Sequence, residues 1–222
     1  RDVWAMLVWG SRVSIIFAFG ASLLSLLVGI VLGALSGYIG GWLDDLMCRI
    51  FELFYIIPRT FLVILMVAFF GSSISLMVII VGLTIWPSNA KIMRAQVLTL
   101  KRRGYVQAAD VAGGSKLGIL FRHIVPNGMG PVLSNSVLQM AQAVLTEASL
   151  SILGLGDPNQ ASWGLILNAG QRNISTAPWL VIAPGVALAL LLLAFNLIGT
   201  ALHRTLNVKQ LSLIHISEPT RH

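Results

Sequence analysis

Four long stretches almost free of charge constrain this chain more than any other feature. They run from Val13 to Leu43, from Thr60 to Ala90, from His123 to Thr146 and from Asn173 to Leu202. Each reaches or exceeds the roughly 20 residues that a helix needs to cross the hydrocarbon core of a bilayer. Only helices and closed barrels satisfy their backbone groups there, so the expected fold class is all-α, a polytopic membrane helical bundle. Composition agrees, since 10% of residues are charged and 56% hydrophobic, against about a quarter charged in soluble domains. Gly71-Ser72-Ser73 breaks the second stretch. Five transmembrane helices follow, near Val13–Ser36, Leu46–Phe70, Ser75–Leu98, Asn127–Leu153 and Leu180–Leu202.

A formal net charge of +7 would fit nucleic acid in a soluble chain, but its distribution here points to orientation, and no nucleic-acid partner is expected. Lys91, Arg94, Lys101, Arg102, Arg103, Lys116 and Arg122 all lie between Lys91 and Pro126. The connection Gly71 to Ile74 has no Lys or Arg, and Gly154 to Trp179 has only Arg172. By the positive-inside rule the basic segment and the C-terminus are cytoplasmic and the N-terminus is external. Gly37 to Trp42 should also be cytoplasmic, although no cation follows it before Arg49. The chain begins at Arg1 without a signal-peptide pattern, which reads as a fragment lacking its natural start.

Gly29, Gly33, Gly37 and Gly41 form a small-residue ridge that lets another helix approach closely, and packing within the chain explains it as well as dimerisation does. Pro58 should bend or open the second span, and Pro87 should kink the third. Cys48 is expected as a small buried apolar residue. Trp163 and Trp179, in the polar connection Gly154 to Trp179, are expected to anchor the outer interface. Glu52, Arg59 and Glu147 sit where ionisable groups are costly unless they pair or face water, so they either pair between helices or border a translocation path. Arg49 and Glu52 can pair at i, i+3.

The segment Lys91–Pro126 is too long and too well patterned for a simple connector. Tyr105, Ala108, Ala109 and Ala112 fall on one face of a short helix, with Gln107 and Asp110 beside it. Gly113-Gly114 should end that helix with a left-handed residue, and Ser115 can cap the next. There Leu117, Leu120, Phe121 and Ile124 repeat the helical period until Pro126 returns the chain to the membrane. Two short amphipathic helices at an angle make a rigid knob that docks a cytoplasmic partner. The competing reading, a helix lying on lipid headgroups, suits the alanine face poorly.

These residues resemble the inner-membrane permease subunits of binding-protein-dependent ABC importers. The family signature, Glu-Ala-Ala, three residues, Gly, nine residues, Ile-x-Leu-Pro, appears as Gln107-Ala108-Ala109, Gly113 and His123-Ile124-Val125-Pro126. The glycine and proline spacing is intact, but Gln107 replaces the glutamate and with it any charge contact that residue makes in relatives. More specifically the chain resembles the second permease of the dipeptide, oligopeptide and nickel group. The matching blocks include Arg1-Asp2-Val3, Gly37 to Trp42, Phe121 to Asn127, Leu145 to Ala148, Leu153 to Gly156, Ser162-Trp163-Gly164 and Ala194 to Leu197.

The resemblance implies one permease domain over residues 1–210, with a cytoplasmic coupling loop at about 91–126. It implies a homologous permease partner, two ATP-binding cassette subunits and an external solute-binding protein, in the inner membrane. Short peptides are the implied cargo, with nickel or another small solute as alternatives. Family members carry a further N-terminal helix before the position of Arg1, in keeping with a truncated chain. Residues 211–222 match nothing in the family and resemble a translated sequencing adapter, so no function is expected of them.

Other chemistry finds little support. No Gly-x-x-x-x-Gly-Lys-Ser/Thr loop occurs, and Gly113-Gly114-Ser115-Lys116 lacks its spacing. No enzymatic activity and no cofactor are therefore expected of this chain, with ATP and Mg handled by partner subunits. His123, His203, His215 and His222 form no close metal-ligand pair. A rival of another class is an ion-coupled secondary transporter using Glu52, Arg59 and Glu147, and a third is a membrane enzyme or assembly factor.

Overall fold

Helices α1 (Val3–Ile39) and α4 (Ile74–Leu100) form the spine of the protein in a computed structural model that describes residues 3–215, with side chains through Leu206. Their intimacy comes from glycine. A Cβ at Gly29 would lie 3.0 Å from the Ala90 backbone nitrogen, one at Gly37 would lie 2.9 Å from the Arg94 carbonyl, and one at Gly33 would overlap the Ala90 backbone. The small-residue ridge therefore works within the chain, as close helix packing in lipid requires. Helix α1 begins ten residues before the predicted span, and the Gly40–Gly41 turn, with φ of 72° and 60°, reverses the chain.

The second predicted span is two helices, α2 (Gly41–Ile56) and α3 (Arg59–Phe70), bent by 85°. Pro58 is the cause: it forces Ile57 into extended backbone, with ψ 124°, since a residue before proline clashes in the helical region. At 12 residues, α3 is about 18 Å long, too short to cross a bilayer alone. Pro87, by contrast, leaves α4 unbroken.

Helix α4 runs to Leu100, so Lys91 to Leu100 belongs to it and not to a loop. The basic segment then holds α5 (Gly104–Val111) and α6 (Lys116–Ile119). After α6 the chain does not break at Pro126 but passes through a π-helical turn, Leu120–Ile124, into α7 (Val125–Ile152). Pro126 lacks an N–H, and Val125 donates instead to the Leu120 carbonyl five residues back.

An element not foreseen, α8 (Trp163–Gln171), lies between α7 and α9 (Trp179–His215). Ser162 caps it, accepting from the Leu165 N–H at 3.3 Å. Its inner face, Trp163, Gly164, Ile166, Leu167 and Gly170, is buried against α7 and α9. Trp163 is thus a packing residue, 7% exposed, with Nε1 donating to the Leu7 carbonyl at 2.8 Å. Of the two expected anchors, Trp179 is the exposed one.

Among the described residues there are only helices and turns. Within those residues three helices are long and apolar enough to cross a membrane, α1, α4 and α9, or four if the bent α2–α3 pair is one span. Helix α7 has 28 residues, but Asn135, Gln139, Gln142 and Glu147 keep it below the others in apolarity. Cys48 is half-buried, not enclosed as expected. Of residues 211–222, the first five continue α9 and the last seven lie outside the described residues, as do Arg1 and Asp2.

Candidate functional site

The knob expected between Tyr105 and Pro126 is present, and its backbone is closely determined. Helix α5 ends in a double hydrogen bond, Gly114 N–H to the Ala109 carbonyl and Gly113 N–H to the Asp110 carbonyl, both 3.0 Å. This is the left-handed helix terminus anticipated from the glycine pair, with Gly113 at φ +83°. No atom lies within 4 Å of a Cβ built at Gly113, so dihedral preference alone requires glycine there. Ser115 Oγ then caps α6, accepting from the Gly118 N–H at 3.2 Å.

Val106, Ile119, Leu120 and Ile124 anchor the knob, buried with Met93, Val97 and Leu100 of α4 and Ala34 of α1. The two predicted faces are corrected accordingly. Of the first, Ala109 is half-buried while Tyr105, Ala108 and Ala112 are exposed. Of the second, Leu120 and Ile124 are buried, whereas Leu117 and Phe121 face outward. Gln107, Asp110, Gly113, Gly114, Ser115 and Pro126 are also exposed. With Val111 at 90% and Leu117 at 60% exposure, the knob presents large apolar side chains that none of the described residues covers. An exposed apolar patch rimmed by polar groups marks an interaction surface.

Behind the knob, Arg94 of α4 grips Asp44 of α2 with two hydrogen bonds of 2.6 Å, from Nε and from an Nη. Ser36 of α1 donates to the same carboxylate at 2.5 Å. Lys101 Nζ donates to the Gly37 carbonyl at 2.9 Å. The turn Gly37 to Trp42 therefore shares one end of the bundle with the basic segment. At the other end the Ile74 N–H donates to Asp157 at 3.2 Å.

Midway along the spine lies a polar network the apolar pattern did not reveal. Asn89, 0% exposed, donates to Ser25 Oγ at 3.1 Å and to Gln139 Oε1 at 2.9 Å. It accepts from Asn135 Nδ2 at 2.8 Å and Ser136 Oγ at 3.4 Å. Gln139 also accepts from Ser25 at 2.9 Å and donates to the Ile85 carbonyl at 3.0 Å. The network joins α1, α4 and α7 without a charge.

The three ionisable residues singled out as a pair or path do not meet. Glu52 is exposed and forms no ion pair with Arg49, and the Asp44–Arg94 bridge stands alone among the described residues. Arg59 donates to Gln142 Oε1 at 2.9 Å. Glu147, 2% exposed, is held by hydroxyls instead of a cation. It accepts from Ser151 at 2.8 Å and Ser14 at 3.5 Å, and Ser162 is a third hydrogen-bonding partner.

Comparison with known proteins bears directly on this arrangement. Residues 29–209 match the family described as binding-protein-dependent transport system inner membrane component. The chain belongs to that family. Among its relatives is the oligopeptide transport system permease protein OppC of Haemophilus influenzae, 38% identical over 94% of this chain and 68% of the relative. OppC of Escherichia coli strain K12 is 40% identical over 94% and 70%. The dipeptide transport system permease protein DppC of Alkalihalophilus pseudofirmus is 34% identical over 96% and 70%. The fold is similar to a chain of the MetNI methionine ABC transporter in inward-facing conformations, with a TM-score of 0.65 at 19% identity, covering 90% of this chain and 96% of that one. As an inner membrane component of this family, the protein is multi-pass, and its long apolar helices are membrane spans.

Proposed function

We propose that the protein is the permease subunit of an ATP-driven importer of short peptides, and that the knob Tyr105–Pro126 is where a partner ATPase docks. The exposed apolar surface around Gly113, packed against the end of α4 and continuous through the π-helical turn with α7, carries this reading. The relatives named as oligopeptide and dipeptide permeases support the substrate class. A homologous permease would cover the exposed aromatic side of α3, Phe61, Phe69 and Phe70. An external binding protein would deliver cargo at the end that carries Asp157 and α8. ATP and Mg would be bound by the ATPases, whose approach would tilt the helices between two states that contact them differently.

The reading takes residues 3–206 as one permease domain crossing the membrane five times, through α1, the bent α2–α3 pair, α4, α7 and α9. Placement of the Gly37 turn beside Lys101, and of Ile74 beside Asp157, supports that alternation. Glu147 joins α1, α7 and the start of α8 in a geometry on which transport depends, while Arg59 links α3 to α7 through Gln142 and Glu52 stays exposed.

Gly113→Val tests the coupling role. The substitution imposes a positive φ on a β-branched residue, at about 1–2 kcal/mol or more, without touching the spans. In proteoliposomes of the complete importer it should abolish most of the stimulation of ATP hydrolysis by loaded binding protein while the permease remains inserted. Wild-type stimulation and transport in the variant would remove the knob from the account.

A further inference from the structure

Helix α2 touches α4 at its start, middle and end, and then leaves it abruptly. Asp44 is locked to Arg94 at the start. Phe51 and Phe54 then meet Trp86 edge-on, with ring centroids at 5.5 and 5.6 Å. Lys91 Nζ sits 4.1 Å from the Tyr55 ring centre. Two residues later the Ile57–Pro58 break turns the chain through 85° into α3. The outer side of α2 is exposed at Trp42, Leu46, Leu53 and Ile56.

We infer that the Asp44–Arg94 pair is a strut that makes α2 follow the end of α4, so that displacement of the knob swings α3 about Pro58. The inference rests on the importer reading given above. Arg94 lies ten residues before the start of α5, and the intervening chain is helix to Leu100. The fork geometry matters, because two parallel N–H bonds resist rotation as well as separation, which a single ammonium contact does not. At side-chain exposures of 29% and 14% the pair is also better shielded than a freely exposed one. Asp44 takes the Ser36 hydroxyl as well, so one carboxylate gathers the cytoplasmic ends of α1, α2 and α4. Arg94 is a positioning residue: it touches no cargo in this account.

The test is uptake per ATP hydrolysed in proteoliposomes holding the permease, its partner permease, the ATPases and the binding protein. Asp44→Asn and Arg94→Gln should each assemble and keep basal ATP hydrolysis within about twofold, yet lose about tenfold in uptake per ATP, a usual size for coupling between sites. Arg94→Lys, which keeps the charge but not the fork, should fall between them and wild type. Wild-type uptake per ATP in either assembled neutral variant overturns the strut, and so does failure of both to assemble, which would make the pair a folding contact. Wild-type vesicles whose uptake ignores ATP would overturn the importer reading and the strut together, an outcome told apart because it appears before any substitution.

Discussion

Replacing Asn89 by leucine, a side chain of similar size, removes four hydrogen bonds from the centre of the bundle at one stroke. Polar contacts between membrane helices contribute roughly 0.6 kcal/mol each on average and at most about 1.7, so four come to about 2 kcal/mol. The figure would rise if the substitution stranded its partners, at about 1–3 kcal/mol per buried group. It does not strand them. Gln139 Oε1 keeps Ser25 at 2.9 Å, Asn135 Nδ2 keeps Ser88 Oγ at 3.1 Å, and Ser136 Oγ keeps the Val132 carbonyl at 3.0 Å. Asn89→Leu should therefore lower the unfolding free energy of the purified protein by about 2 kcal/mol, up to some 30-fold in the folded-to-unfolded ratio. The measurement is a denaturant titration in mixed micelles, and pairing the change with Gln139→Leu should show non-additivity between the two sites. A leucine variant as stable as wild type, or more stable, would refute the reasoning, because it would mean that apolar packing replaces the network without loss.

Two further outcomes are expected. Glu147→Gln puts an amide N–H₂ among three hydroxyls and should reduce transport about tenfold with a smaller effect on assembly; normal transport by a correctly assembled variant would show that the carboxylate is dispensable. Cysteines at Ser115 and Gln160, both exposed, in a Cys48-free version of the protein should react with an impermeant thiol reagent from opposite sides of the membrane, and labelling from one side would sink the five-span topology.

What the sequence disclosed and what it hid follow from the range of the forces involved. The knob was legible because its determinants are local: a left-handed glycine, a serine cap and a short apolar repeat each act within a few residues. Helix α8 was equally local, with Ser162 as cap and Trp163, Ile166, Leu167 and Gly170 at i, i+3, i+4 and i+7. A tryptophan beside a span is equally what an interfacial anchor presents, so this pattern alone does not separate the two. The division of the second apolar stretch at Pro58 was visible, but the size of the bend was not, since α2 is oriented by Trp86 and Arg94, thirty or more residues away. Long-range pairing also decides where the charges go. Arg49 and Glu52 satisfy a helical spacing but stand exposed, whereas Asp44 finds Arg94 across 50 positions.

The glycine ridge and the buried network are one device seen from two sides. A Cβ at Gly29 would press on Asn89 Cβ, so the missing side chain on α1 is what lets Asn89 lie flat against that helix and reach Ser25 one turn earlier. In lipid, apolar packing surfaces have no hydrophobic reason to choose one register over another. Glycine permits the approach, and the amide selects the register, because only one sliding position of α4 satisfies Ser25, Gln139 and Asn135 together. The same interface continues through Gly33 and Gly37 to the Lys101 contact and the Asp44–Arg94 pair. In the proposed coupling, a force applied at Gly113 would meet a spine whose sliding is resisted by its polar centre, and motion would fall to the proline break between α2 and α3.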